Sequence, residues 1–166
     1  VLVIAGAGSG KTRVLTARIC HLISLGVSAY NILAITFTNK AAAEMQSRIS
    51  DALGGSSSVW TSTFHSMCAR ILRVDAERLG YTKDFSIYTE IESDRVVKRL
   101  CNDIERADVK KKGDYLYHIS CAKTAGLSPE QYYGEIARDV NDAKTIYLVY
   151  SAYEKELRAS NALDFD

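Results

Sequence analysis

Ala5-Gly6-Ala7-Gly8-Ser9-Gly10-Lys11-Thr12 gathers glycines, a lysine and a threonine into one short stretch. That mixture suits a polyphosphate. Glycines allow the backbone to curl until successive N–H groups point at one anion. A helix starting near Lys11 adds the positive end of its dipole. Lys11 brings a full charge to the β- and γ-phosphates, and the Thr12 hydroxyl is a ligand for Mg²⁺. The apolar run Val1-Leu2-Val3-Ile4 just before the loop predicts a strand, which completes the strand–loop–helix context of a phosphate-binding loop. The strict pattern opens on glycine where this chain has Ala5, so the match is to a relaxed form. A dinucleotide fingerprint fails on spacing, because its third glycine falls at Lys11.

Two further clusters carry chemistry. Thr36-Phe37-Thr38-Asn39-Lys40 closes one apolar run, and Thr61-Ser62-Thr63-Phe64-His65-Ser66 closes another. Each sets an aromatic ring among hydroxyls, with an amide and lysine in the first and an imidazole in the second. Stacking on unpaired bases combined with phosphate contacts asks for such a set. The competing reading makes Phe37 a core residue at a polar strand exit and His65 a hydrogen-bonded structural residue. Nothing near His65 assembles a nucleophilic triad.

Elements must bring these clusters together. The stripe Val14, Leu15, Ala17, Ile19, Leu22 and Ile23 predicts a helix after the loop, ended by Gly26. Ile32 to Phe37 reads as a buried parallel strand, Ala41 to Leu53 as a helix closed by Gly54-Gly55, and Val59-Trp60-Thr61 as the next strand. Phe64 to Leu79 reads as a long helix stopped by Gly80. Alternating strand and helix is the doubly wound α/β pattern, in which ligands gather at the carboxyl edge of the sheet. After Tyr81 the sequence turns helical. Ser86-Ile87-Tyr88 allows a brief strand, and Thr89 or Ser93 can cap the helix running through Leu100. A break is expected at Lys110-Lys111-Lys112-Gly113, with Asp114 capping the next helix. Ser128-Pro129-Glu130-Gln131 is a strong helix start. A last helix, Asp142 to Ala159, sets Ile146, Val149, Tyr150, Tyr153 and Leu157 on one face. The organisation divides near residue 80.

Composition sets bounds. The 166 residues suffice for one sizeable core and a smaller satellite. Net charge is +1, so nucleic-acid binding has to come from a local patch. Cys20, Cys68, Cys101 and Cys121 are scattered, which argues against zinc and disulfides and fits a reducing cytosol. No apolar run approaches the ~20 residues of a membrane span. The chain opens inside an apolar run and stops at Leu163-Asp164-Phe165-Asp166 without cap or turn chemistry, and it shows no apolar strand ending in the acidic pair that handles Mg²⁺ and water. The expectation is a fragment whose hydrolytic part lies elsewhere.

Three segments taken in order carry a resemblance. Ala5 to Arg13, Ile35-Thr-Phe-Thr-Asn-Lys-Ala-Ala-Ala-Glu-Met45 and Thr63-Phe-His-Ser-Met-Cys-Ala-Arg-Ile-Leu72 closely resemble motifs I, Ia and Ib of the UvrD/Rep/PcrA-type superfamily 1 DNA helicases. The likeness continues through Asp84-Phe-Ser-Ile-Tyr88, Ala122-Lys123, Ser128 to Gln131 and Leu163 to Asp166. The resemblance implies a P-loop NTPase (RecA-like) parallel sheet with an inserted all-helical subdomain: residues 1–80 a partial motor domain, 81–160 subdomain 1B, and 161–166 the return to the motor. It implies an ATP- and Mg²⁺-dependent translocase moving 3′ to 5′ on single-stranded DNA and unwinding duplex, in the cytoplasm at the nucleoid. Carried over by position, Ala5, Gly6, Ala7, Gly8, Ser9, Gly10, Lys11, Thr12 and Arg13 bind nucleotide, Lys11 and Thr12 being catalytic and Thr12 holding Mg²⁺. Phe37, Thr38, Asn39, Thr63, Phe64 and His65 line the single strand. Lys110, Lys111 and Lys112 are either a duplex contact or a solvated basic loop. The adenine-reading glutamine motif, the Asp-Glu motif, the arginine fingers and the second motor domain lie outside the sequence, so the fragment alone is expected to be inactive. The alternative is a phosphate-loop kinase or sensor ATPase, which leaves Phe37 and Phe64 unexplained. A non-enzymatic docking domain is the third reading.

Overall fold

The computed structural model describes residues 2–4, 6, 8–137 and 139–166. It is α/β, mostly helical, with small parallel sheets, and it falls into two compact units, Val1–Ile71 and Leu72–Asp166.

In the first unit, helix α1 (Lys11–Ser24) is followed by strand β1 (Leu33–Thr36), helix α2 (Asn39–Leu53), strand β2 (Trp60–Thr63) and the start of helix α3 (Phe64–Asp75). β1 and β2 run parallel, paired from Leu33↔Trp60 to Thr36↔Thr63. A parallel pair needs a crossover, and α2 is that crossover. Its amino end is capped by the Thr38 hydroxyl, which accepts from the Ala41 amide at 3.1 Å. Ile19, Ile32, Ala34, Met45, Ile49 and Val59 form the core.

The strand expected at residues 1–4 is not formed by Leu2, Val3 and Ile4, and Val1 lies outside the described residues. Leu2 and Ile4 are 86% and 89% exposed. A strand exists only as part of a ladder that takes up its N–H and C=O groups, and among the described residues β1 and β2 pair only with each other. The α1 stripe departs in the same way. Ile19 is buried and Leu22 and Ile23 pack on the core, but Val14 and Leu15 face outward. Apolar residues on both sides of the glycine-rich loop in sequence are therefore left uncovered.

In the second unit, strand β3 (Ser86–Ile87), helices α4 (Glu90–Asp103), α5 (Lys112–Thr124), α6 (Pro129–Ile136) and α7 (Ala143–Ala159), and strand β4 (Ala162–Leu163) follow in order. α7 is the central element, and all of the predicted face from Ile146 to Leu157 is buried. β3 and β4 pair in parallel, Ser86↔Ala162 and Ile87↔Leu163, so the two ends of the helical segment lie side by side.

Helix starts follow local chemistry. Thr89 and Glu92 form a capping box, the Thr89 amide donating to Glu92 Oε2 at 2.7 Å, and Ser128 and Gln131 form another behind Pro129. The expected role of Asp114 is corrected. α5 begins earlier, because Asp108 accepts from the Lys110 amide at 2.9 Å and starts a short 3₁₀ turn, Val109–Lys111, that runs straight into the helix. The break accordingly falls at 104–108 and not at the lysine run.

Thr89→Ala should lower stability by about 1 kcal/mol, read as a drop of about 4–8 °C in Tm for a unit of this size. The Thr89 amide and hydroxyl hold the Glu92 carboxyl below its usual range. The folded value lies under the unfolded one, so this contribution is present above the ordinary glutamate range and disappears as pH falls through the folded value. The Tm difference between wild type and variant should shrink on acidification.

Candidate nucleotide and nucleic-acid site

The described part of the loop before α1 is shaped by its glycines and by bonds to one carbonyl. Gly8 and Gly10 adopt φ of 74° and 84°, the left-handed region that side chains with a Cβ disfavour. A Cβ added at Gly8 would meet nothing within 4 Å, so its backbone angle, not crowding, calls for glycine. The Gly6 carbonyl accepts from the Ser9 hydroxyl and from Lys11 Nζ, both at 2.7 Å. These bonds turn the loop back on itself and draw the ammonium over its mouth.

Gly10 caps α1 with no side-chain hydrogen bond, and the first turn contains no acidic residue. Among the described residues no side-chain cap bond and no first-turn carboxylate offsets the positive amino end of the helix, and Lys11 and Arg13 add positive charge there. Phosphate fits this donor set. A carbonyl is a neutral acceptor, whereas phosphate oxygens make the stronger charge-assisted bonds to lysine, so Lys11 can exchange one for the other. Ala5 and Ala7 lie outside the described residues. Thr12 is exposed in the first turn of α1, and among the described residues no group of three His, Cys, Asp or Glu side chains is placed to hold a metal ion.

The unstaggered pairing of β1 and β2 fixes the second part of the site. Because Thr36 lies opposite Thr63, Phe37 and Phe64 leave the sheet at the same edge. Phe37 is 91% exposed and Phe64 59% exposed. The core reading of Phe37 is thereby excluded. Thr38 and Asn39 are exposed at the start of α2, and His65 is exposed at the start of α3. Thr63 differs: it is 6% exposed, and its hydroxyl lies 2.9 Å from Ser66 Oγ while accepting from the Ser66 amide at 3.2 Å. It sets the first turn of α3 from inside the protein.

Sequence reasoning missed Gln46. Its Nε2 donates to the Ser57 carbonyl and its Oε1 accepts from the Thr61 hydroxyl, both at 2.9 Å. It therefore holds both β2 and the loop entering it against α2. The available signal was a polar residue within the stripe Ala42, Met45 and Ile49, spaced to share one helix face. Arg70 of α3 also lies over the Trp60 ring, 4.5 Å from its centroid, and ties the helix carrying Phe64 and His65 to the start of β2.

In the second unit the lysine run is largely engaged. Lys111 Nζ lies 2.5 Å from Asp142, and Lys112 Nζ reaches both oxygens of Asp94 at 2.5 and 2.6 Å. The bond to Asp142 raises the pKa of Lys111.

Comparison with known proteins places the chain. The family model for the UvrD/REP helicase N-terminal domain matches residues 1–166. The ATP-dependent DNA helicase PcrA of Bacillus subtilis (strain 168) is 45% identical over 170 residues, and that of Staphylococcus epidermidis (strain ATCC 12228 / FDA PCI 1200) is 44% identical over 172. The PcrA of Staphylococcus aureus (strain NCTC 8325 / PS 47) is 41% identical over 183 residues. Each alignment covers 100% of this chain and 23% of the relative, so the chain spans about a quarter of their length.

Proposed function

The chain belongs to the UvrD/REP helicase family, and from that premise we propose that it forms the ATP-binding and single-strand-gripping part of a 3′ to 5′ DNA helicase. The observation that carries this reading is the shared edge. Two exposed aromatic residues follow a register pair of one parallel sheet, in a unit that also presents a glycine loop with an uncapped helix amino end. The loop Ala5–Thr12 and Arg13 hold the nucleotide, with Lys11 on the β- and γ-phosphates. Bound Mg²⁺ supplies charge neutralisation of those phosphates, and Thr12 is the ligand this chain offers it. Phe37 and Phe64 stack on bases of single-stranded DNA, while Thr38, Asn39 and His65 contact the same strand. Thr63 acts indirectly, by fixing the turn from which Phe64 and His65 project.

The fold is read as RecA-like, with 1–80 a partial motor domain, 81–160 the inserted subdomain 1B and 161–166 the return segment. The adjacency of β3 and β4 supports an insertion, because an inserted segment leaves its host near where it enters. Work on single-stranded and duplex DNA fits a cytoplasmic, nucleoid-associated protein. Among the described residues no helix is long and apolar enough to cross a membrane.

The test is ATP hydrolysis. A full-length protein carrying this chain should hydrolyse ATP with Mg²⁺, faster when an oligonucleotide is added and not at all with EDTA. The 166-residue chain alone should release no phosphate above buffer. DNA-stimulated release by the isolated chain would remove the claim of inactivity, and a full-length protein indifferent to DNA would remove the helicase reading.

A further inference from the structure

Two segments that the function leaves unused, Ala122-Lys123 and Leu163 to Asp166, meet in the second unit. We propose that Lys123 is a positioning residue that clamps Asp164, and with it the segment leaving β4, onto α4, α5 and α7. Lys123 Nζ lies 2.8 Å from Asp164 Oδ2 and 3.0 Å from Glu154 Oε1, and 5.6 Å from the centroid of the Tyr153 ring. The Lys123 side chain is 15% exposed and that of Asp164 is 9% exposed. Tyr153 is buried, and its hydroxyl lies 2.9 Å from Ser93 Oγ and 3.0 Å from Asp164 Oδ2. Asp166 is held as well, accepting from the Ser120 hydroxyl at 2.9 Å.

The ladder beneath this cluster is short. It rests on the Ser86 amide donating to the Asn161 carbonyl at 3.0 Å and the Tyr88 amide donating to the Leu163 carbonyl at 2.7 Å. Two-residue strands do not hold themselves together in water. Stability alone is a poor reason for the cluster, because buried charges are costly to desolvate and apolar residues of similar volume often replace them without loss. An ionic cluster supplies direction instead. The carboxylate of Asp164 accepts from α5 and α7 at set points, which fixes the path of the chain after β4. The exposures exclude an ordinary surface pair, which would contribute little.

The inference does not depend on nucleotide or DNA binding, so its test uses neither. Amide hydrogen exchange is measured on the 166-residue chain and on K123M, D164N and K123R. In K123M and in the near-isosteric D164N, the Tyr88 amide should lose protection at least tenfold, while the Val149 and Tyr150 amides in α7 keep theirs. K123R, which retains the charge, should lose less than threefold at Tyr88. Wild-type protection of Tyr88 in K123M overturns the proposal. So does an equal loss at Tyr88 and in α7 in both K123M and D164N, which would make the cluster a general stabiliser and not a clamp.

Discussion

Lys11→Ala in the full-length protein should lower ATP turnover by a factor on the order of 10²–10³, the loss typical when one preorganised charge-stabilising group is removed. The expectation follows from where the structure holds the ammonium. Lys11 Nζ is bonded to the Gly6 carbonyl, so it already sits over the mouth of the loop and needs no large movement to meet a phosphate. Alanine removes that charge and one of the two bonds to the Gly6 carbonyl, while the Ser9 bond and the positive φ of Gly8 and Gly10 still hold the curl. Affinity for single-stranded DNA without nucleotide should therefore stay within about twofold of wild type, since 0.4 kcal/mol is already a factor of two. The measurements are steady-state phosphate release at saturating oligonucleotide and fluorescence anisotropy of a labelled strand. Unimpaired turnover in the variant would show that the loop serves no nucleotide, and the docking reading would gain.

What the sequence disclosed and what it withheld divide along physical lines. Spacing disclosed whatever is locally determined: the buried face of α7 from Ile146 to Leu157, the cap at Ser128, and the strand–helix–strand unit that aligns Thr36 with Thr63. Features set by partners distant in sequence stayed hidden. Leu2 to Ile4 have the composition of a strand, yet composition does not provide the neighbouring ladder. Asp114 and Asp108 are both acceptable caps, and the choice between them depends on the 3₁₀ turn that precedes α5. Lys111 and Lys112 read as a free basic run because their partners, Asp142 and Asp94, lie 31 and 18 residues away. The shared sheet edge was legible in its exposed members, Phe37 and Phe64. The supports Gln46 and Thr63 were not, since their roles depend on which way a helix face and a strand face point.

Phe64→Ala should separate the two halves of the proposed site. Base–aromatic stacking is worth about 1–3 kcal/mol per base, so the oligonucleotide concentration giving half-maximal ATPase stimulation should rise about 5- to 150-fold. Turnover without DNA, and the KM for ATP, should remain at wild-type values, because the exposed Phe64 ring at the start of α3 is assigned to bases and not to the nucleotide. Phe64→Trp, which preserves a stacking face, should stay near wild type. This distinguishes stacking from a general disturbance of α3, whose start is set by Thr63 and Ser66 and not by the exposed ring. Phe37→Ala should act in the same direction. If one strand crosses both rings, the double variant should lose about the sum of the two free energies, since separate bases are gripped by each. A Phe64→Ala protein with unchanged DNA dependence, or one that loses basal turnover in parallel, is incompatible with a strand running along this edge. A kinase or sensor ATPase predicts the first of those results, because it has no use for an aromatic ring exposed beside its sheet.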